Sequence, residues 1–368
     1  MSPRTSPPFR ADHVGSLLRT APLKEARIKR AKGEIDAAAL KAVEDREIEK
    51  IIRKQEEVGL RLATDGEFRR SWWHFDFFWG LKGVEKISAP PIKFHGVETK
   101  SEAVKITSKI DFAGHPQLEH FKFLKSVCKV TPKMTVPAPS TFHFRQGRAM
   151  ISKEAYPGYD EFFADVANAW RKAIRAFYDA GCRYLQLDDT AWAMICDPKE
   201  REGSKARGDD PDSLPAIYAR VTNEALKDKP ADMVTAMHLC RGNFRSTYQG
   251  SGGYDAIADI LFNKTNIDAY FMEYDSERAG GFEPLRLVPK GKKVVLGLVT
   301  SKTGRLESKD EIKRRVEAAT KYIDIDQLCL SPQCGFASTE EGNLLSEDEQ
   351  WAKLGFVVEV AKEIWGHA

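Results

Sequence analysis

Eight short apolar runs, each separated from the next by a longer amphipathic or polar stretch, restrict this chain's fold more than any other feature. They occupy residues 10–14, 62–64, 134–138, 184–187, 233–238, 269–272, 294–298 and 327–330. Runs this short, rich in Val, Ile, Leu, Met and Tyr, read as strands buried on both faces. The stretches between them carry helical spacing. In 36–58, Leu40, Val43, Ile48 and Ile51 or Ile52 recur on one face, and in 159–180 the stripe is Phe163, Val166, Trp170, Ile174 and Phe177. Further helices are expected at 213–227, 254–263, 308–322 and 346–365. Gly59 and Gly181 stand where a helix hands over to a strand. Eight strands, most of them followed by a helix, predict an α/β fold of the (β/α)8 TIM-barrel type rather than an open doubly wound sheet.

An open sheet that binds a dinucleotide needs a glycine-rich turn directly after an early strand. Gly250-Ser251-Gly252-Gly253 is the notable glycine cluster; it follows no strand directly and reads as a flexible loop over the site. Residues 71–130 break the alternation. They hold β-like pieces at 92–94 and 103–106 and the aromatic cluster Trp72, Trp73, Phe75, Phe77, Phe78 and Trp79. This predicts a β-containing insertion after the second strand, covering the mouth of one barrel domain that spans 1–368. Residues 200–212, with many charges and two glycines, read as a mobile loop.

Charge and composition exclude several classes of function. A formal net charge of +3 gives no reason to expect nucleic acid or an anionic membrane as partner. No window approaches the ~20 apolar residues needed to cross a bilayer. The start, Met1 to Pro8, lacks the apolar core of a signal peptide, so a cytoplasmic location is expected. Six cysteines in 368 residues do not form a disulfide scaffold. Cys182 and Cys329 read as packing residues; Cys128 and Cys196 are unassigned.

The other two cysteines belong to a different pattern. His238 and Cys240, Glu273, and Cys334 each sit at or just past the end of a strand-like run. Alternate residues of a strand share a side, so His238 and Cys240 can reach one ion from one strand end. In barrel enzymes chemistry gathers at the C-terminal ends of the strands. One imidazole, two thiolates and a carboxylate form a ligand set suited to Zn²⁺. Taken singly, each of the four has an ordinary explanation in packing or surface charge; their common position on the rim argues for one shared ion. Asp188 and Asp189 end another strand-like run, where paired carboxylates need a cation, a helix N-terminus to cap, or an arginine.

Taken in order, Asp12-His13-Val14-Gly15-Ser16, Asp65-Gly66-Glu67-Phe68, Tyr184-Leu185-Gln186-Leu187-Asp188-Asp189, His238-Leu239-Cys240, Met272-Glu273 and Ser331-Pro332-Gln333-Cys334-Gly335 resemble the catalytic barrel of cobalamin-independent methionine synthase. The likeness is closer still to its short single-barrel relatives, which include the epoxyalkane:coenzyme M transferases. The resemblance covers almost the whole chain. It implies zinc held by His238, Cys240, Glu273 and Cys334. It also implies a substrate carboxylate held by Gly15 and Ser16, and a substrate amino group met by Glu67 and Asp188. One departure stands out. Where the full-length synthases have a histidine after the seventh strand, Gly297 to Arg305 has none, and Lys302 falls nearest that slot. The full-length synthases also carry an additional N-terminal barrel.

These readings converge on zinc-dependent methyl or alkyl transfer to a small thiol, with homocysteine as the default acceptor and methyltetrahydrofolate as a candidate donor. A thiol with pKa about 8.5 is mostly protonated at neutral pH, and coordination to Zn²⁺ deprotonates it. Lys302, Asp189 and His13 are the candidate proton carriers; for His13 a structural hydrogen bond fits better. The aromatic cluster at Trp72–Trp79 offers a stacking wall for a flat ligand. The alternatives are a transferase acting on another thiol such as coenzyme M, and a zinc hydrolase or lyase on the same barrel. A homo-oligomer is left open.

Overall fold

The protein is described by a computed structural model covering residues 4–368. Its strands are β1 (Leu62–Ala63), β2 (Lys82–Ser88), β3 (Lys93–Phe94), β4 (Val97–Glu98), β5 (Glu102–Asp111), β6 (Thr131–Pro137), β7 (Tyr184–Asp189), β8 (Val234–Leu239), β9 (Ala269–Glu273), β10 (Lys293–Val299) and β11 (Leu328–Pro332). Seven of them form one parallel sheet in the order β1-β6-β7-β8-β9-β10-β11. The segment around Ala11 fills the gap between its two ends. Ala11 bridges Leu330 of β11, and on the other side Leu17 N–H donates to the Gly66 carbonyl at 3.0 Å while the Thr64 hydroxyl donates to the Gly15 carbonyl at 2.6 Å. The result is a closed (β/α)8 barrel.

The run at 10–14 does not become a regular strand, and the reason lies in the barrel interior. Lys133 Nζ donates to the His13 carbonyl at 2.6 Å and Gln186 Nε2 to the Val14 carbonyl at 2.7 Å. Side chains thus take acceptors that a ladder would have used. The same interior holds Asp12 and Lys133 as a fully buried ion pair at 3.0 Å, with the Tyr184 hydroxyl donating to Asp12 at 2.9 Å.

Helices wrap the outside. The expected helix at 36–58 is Ala37–Glu57, and the Asp36 side chain caps it by accepting from Ala39 N–H at 2.8 Å. The helix Tyr159–Asp179 carries the apolar stripe read from the sequence, and Phe163, Val166, Trp170, Ile174 and Phe177 are all buried. Each such side chain contributes about 1.5–3 kcal/mol of burial. The run at 254–263 splits into a 3-10 turn, Tyr254–Ala256, and the helix Ala258–Lys264. Residues 200–212 are a correction: most of that stretch lies in the helix Pro198–Ala206 and its C-terminal turn. Asp197 caps this helix by accepting from Lys199 N–H at 2.8 Å, and Pro198 stands at its first position.

Residues 71–130 hold more regular structure than the sequence suggested. β2 pairs antiparallel with β5, β3 and β4 make a short hairpin, and Pro116–Val127 is a helix. Phe77 and Phe78 point into the helical layer, with ring centroids 5.4 Å from Trp170 and 4.8 Å from Phe142 respectively. Among the described residues, no helix is long and apolar enough to cross a membrane.

Candidate metal centre and substrate pocket

The C-terminal ends of the strands open into a pocket. Strand register determines what faces it. Asp188 of β7 is directly paired with His238 of β8, so the two side chains stand level on neighbouring strands. The β7–β8 ladder runs one step beyond the strand, where Cys240 N–H donates to the Asp189 carbonyl at 3.0 Å. On the far side, Gln333 N–H donates to the Val299 carbonyl at 2.7 Å and carries Cys334 onto the rim. Gly335 follows, where a Cβ would press on the Ser16 side chain.

These elements bring three of the four expected ligands together. The ligand atoms of His238, Cys240 and Cys334 lie within 4.8 Å of one another. The two Sγ atoms are 3.4 Å apart. The Cys240–Cys334 hydrogen bond pushes the Cys240 thiol well above its ordinary range and holds Cys334 below it. Gly242 N–H donates to Cys240 Sγ at 3.2 Å, a contact that favours thiolate. His238 Nδ1 lies 3.3 Å from Asp188 Oδ1, while its Nε2 is buried with no partner. A carboxylate on one ring nitrogen and a free lone pair on the other is the arrangement of a metal-binding histidine. Two thiols and one orphaned imidazole nitrogen therefore fit a zinc ion.

The fourth residue stands apart from this cluster. Glu273 ends β9 on the rim and is fully buried, but its carboxylate is paired with Arg278 and accepts from Arg241 N–H at 2.8 Å. Lys302 is 3.8 Å from Glu273 and 3.3 Å from Asp275; burial lowers its pKa.

The remaining sequence candidates divide between pocket wall and scaffold. Ser16, Glu67 and Asp188 line the pocket, and Gly15 precedes Ser16 with φ 142°, which only glycine adopts freely. Glu67 has a left-handed φ of 60°, a strained backbone for a glutamate. Its Oε1 accepts from the Thr135 hydroxyl at 2.9 Å, Arg70 lies 3.6 Å away, and Oε2 is buried without a partner. Arg69, two residues on from Glu67, pairs with Glu44 and Asp45. Asp189 reaches the pocket wall, yet its oxygens accept from Ser140, Thr141 and the N–H groups of Ala191 and Trp192, so it caps the short helix that follows. Burial raises its pKa to about 6. His13 hydrogen-bonds Gln55 at 3.0 Å, and burial lowers its pKa to about 3, which keeps it neutral. The loop Gly250–Gly253 packs on Arg241, whose carbonyl accepts from Gly250 N–H at 3.0 Å and whose guanidinium donates to the Gly252 carbonyl.

Two pocket residues, His74 and Arg145, went unread in the sequence. His74 lies inside an aromatic run where its neighbours suggest packing alone, and Arg145 sits in a short helix with no motif around it. Trp72, Trp73, Ile92 and Phe94 from the insertion, with Phe244 from the loop after β8, supply an apolar wall.

Residues 150–363 match the family model described as "Cobalamin-independent synthase, Catalytic domain". The chain is 53% identical to the Bacillus subtilis protein YxjH over 97% of its own length and 95% of that protein's. A solved Listeria monocytogenes structure, described as a candidate vitamin-B12 independent methionine synthase, superposes with a TM-score of 0.81 at 44% identity, covering 99% of this chain and 100% of that one. The 5-methyltetrahydropteroyltriglutamate–homocysteine methyltransferase of Bacillus licheniformis is 25% identical over 96% of this chain, which spans 42% of that longer protein.

Proposed function

Because this chain belongs to the cobalamin-independent methionine synthase family, we propose that it transfers a methyl group to the thiol of homocysteine at a zinc site built from His238, Cys240, Cys334 and Glu273. The observation that carries this reading is the convergence of three ligand atoms within 4.8 Å on the wall of a pocket that Glu67 and Asp188 also line. The activity for which the Bacillus licheniformis relative is named supports homocysteine as acceptor and a methylated folate as donor.

A bound Zn²⁺ would supply a substrate thiol held as thiolate at neutral pH. The protein's own residues do the rest. Asp188 holds the His238 ring by its Nδ1, leaving Nε2 as the nitrogen that would bind a metal. Glu67 and Asp188 present negative charge to the substrate's ammonium group, while Ser16 and the backbone at Gly15 receive its carboxylate. The tryptophans and phenylalanines of the insertion exclude water from the reacting atoms. Glu273 would be the fourth ligand; its carboxylate lies on the same rim, paired with Arg278.

The test combines metal analysis with a methyl-transfer assay. We expect one zinc per chain, and methionine formed from homocysteine and a methylated tetrahydrofolate. Protein that carries stoichiometric zinc and alkylates coenzyme M but not homocysteine would move the acceptor to another thiol. Protein that binds no zinc would end the proposal.

A further inference from the structure

We propose that Arg145, with His74 beside it, is the anion-recognition point of this pocket and takes a carboxylate carried by a flat aromatic methyl donor. This rests on the methyl-transfer reading above and names a contact for the second substrate.

The pocket is electrically divided. Glu67 and Asp188 line it and suit a cation, whereas Arg145 brings a positive charge to the same cavity. That charge is poorly spent. Among the described residues, its guanidinium makes a single long hydrogen bond, 3.4 Å to Gln249 Oε1, no carboxylate pairs with it, and its Nε is buried without a partner. Glu200 and Asp189 are the nearby acids, but Glu200 accepts from Gln249 Nε2 at 3.0 Å, so the amide stands between acid and arginine, and Asp189 is held by Ser140, Thr141 and two backbone N–H groups. A half-buried guanidinium with so few partners, facing the pocket, favours an incoming oxyanion.

His74 gives an independent sign of a missing ligand. It is 1% exposed and lines the pocket, yet both ring nitrogens lack partners. Its ring stacks between Trp73, at a centroid distance of 4.5 Å, and Phe75, at 4.0 Å, which fixes the plane in which an N–H can donate. Burial and the nearby Arg145 charge keep the ring neutral, so it contributes a hydrogen bond rather than a second charge. The surrounding wall of Trp72, Trp73, Phe94 and Phe244 matches a planar body. One guanidinium and one neutral donor beside flat apolar surface describe a carboxylate on an aromatic ligand.

The probes are p-aminobenzoylglutamate and its dimethyl ester, titrated into the zinc-loaded protein by calorimetry and by tryptophan fluorescence. Wild-type protein should prefer the diacid by about tenfold or more, as expected for charge-assisted hydrogen bonds. Arg145→Gln should bring the two ligands within about twofold of each other, Arg145→Lys should keep part of the preference, and His74→Phe should weaken the diacid alone. L-Methionine should bind Arg145→Gln as it binds wild type. The proposal is overturned if wild type shows no preference, if Arg145→Gln keeps it in full, or if methionine affinity falls with Arg145→Gln, because the arginine would then hold the amino acid's carboxylate. Circular dichroism and zinc content report whether each variant is folded, and Arg145→Lys carries the test should Arg145→Gln fail to fold. Loss of diacid preference in Arg145→Gln, with no methyl transfer to homocysteine by wild type, leaves this subsite standing and removes the acceptor.

Discussion

Replacing Glu67 by glutamine should stabilise the ligand-free protein at alkaline pH and leave it unchanged in acid. Glu67 is 3% exposed, and its backbone is already committed to a φ of 60°. Burial raises its pKa, Arg70 partly offsets this, and the Asp188 charge adds to the rise, leaving it at about 7 against an ordinary 4.5. The folded protein therefore keeps a proton between these two values that the unfolded chain has released. Stability must fall as pH rises through that window, and the loss is complete above the folded pKa. A displacement of this size corresponds to about 3 kcal/mol. For a chain of 368 residues, an unfolding entropy of about 2.1 cal/mol/K per residue converts it to a melting shift of about 4 °C. Glutamine fits the same space, accepts from Thr135 as the acid does, and carries no charge. Thermal melts of both proteins at pH 4.5, 6 and 8 test the reasoning. The amide itself can offset the two curves equally at every pH, so the diagnostic is the growth of the gap, by about 4 °C between acid and pH 8. A gap that does not change with pH refutes the argument. The same substitution should weaken L-methionine binding at pH 8, since the carboxylate that costs stability in the empty pocket is the one offered to a substrate ammonium.

Cys240→Ala and Cys334→Ala should each abolish stoichiometric zinc in metal analysis while the far-ultraviolet circular dichroism stays that of wild type; a variant retaining full zinc contradicts the ligand assignment. Asp188→Asn should weaken zinc about 10- to 100-fold in a chelator competition, the usual cost of losing the carboxylate behind a metal-binding histidine. Lys133→Met strands the buried Asp12 charge and should cost about 3–5 kcal/mol, whereas Asp12→Asn combined with Lys133→Met should recover most of it. Thermal melts of the single and double variants decide this, and a double variant no better than the single one removes the buried pair from the account.

The placement of Asp188 links the fold to the chemistry. Its register opposite His238 holds the imidazole from behind, and the same carboxylate faces the pocket. Asp189, one residue on, also touches the pocket wall, but its oxygens are consumed by Ser140, Thr141 and two backbone N–H groups. Adjacent acids at one strand end thus separate into a pocket residue and a cap because successive side chains alternate in direction.

The chain's own order of residues determined the alternation of strands and helices, the apolar stripe of Tyr159–Asp179, and the presence of His238, Cys240, Glu273 and Cys334 at strand ends. Strand and helix patterns repeat over two to four residues, so the backbone geometry of each element expresses them locally and places the residues at its end. Tertiary structure decided the remainder. Residues 10–14 lost their ladder to Lys133 and Gln186, residues distant in sequence that reach them through the barrel interior. Residues 200–212 read as a charged loop because their helix depends on the Asp197 cap and a tight C-terminal turn rather than on an apolar stripe. Glu273 is held by Arg278, Arg145 by a lone glutamine, and His74 by ring stacking only. Whether a buried polar atom finds a partner depends on which distant segments pack against it, and periodicity along the chain carries no record of that.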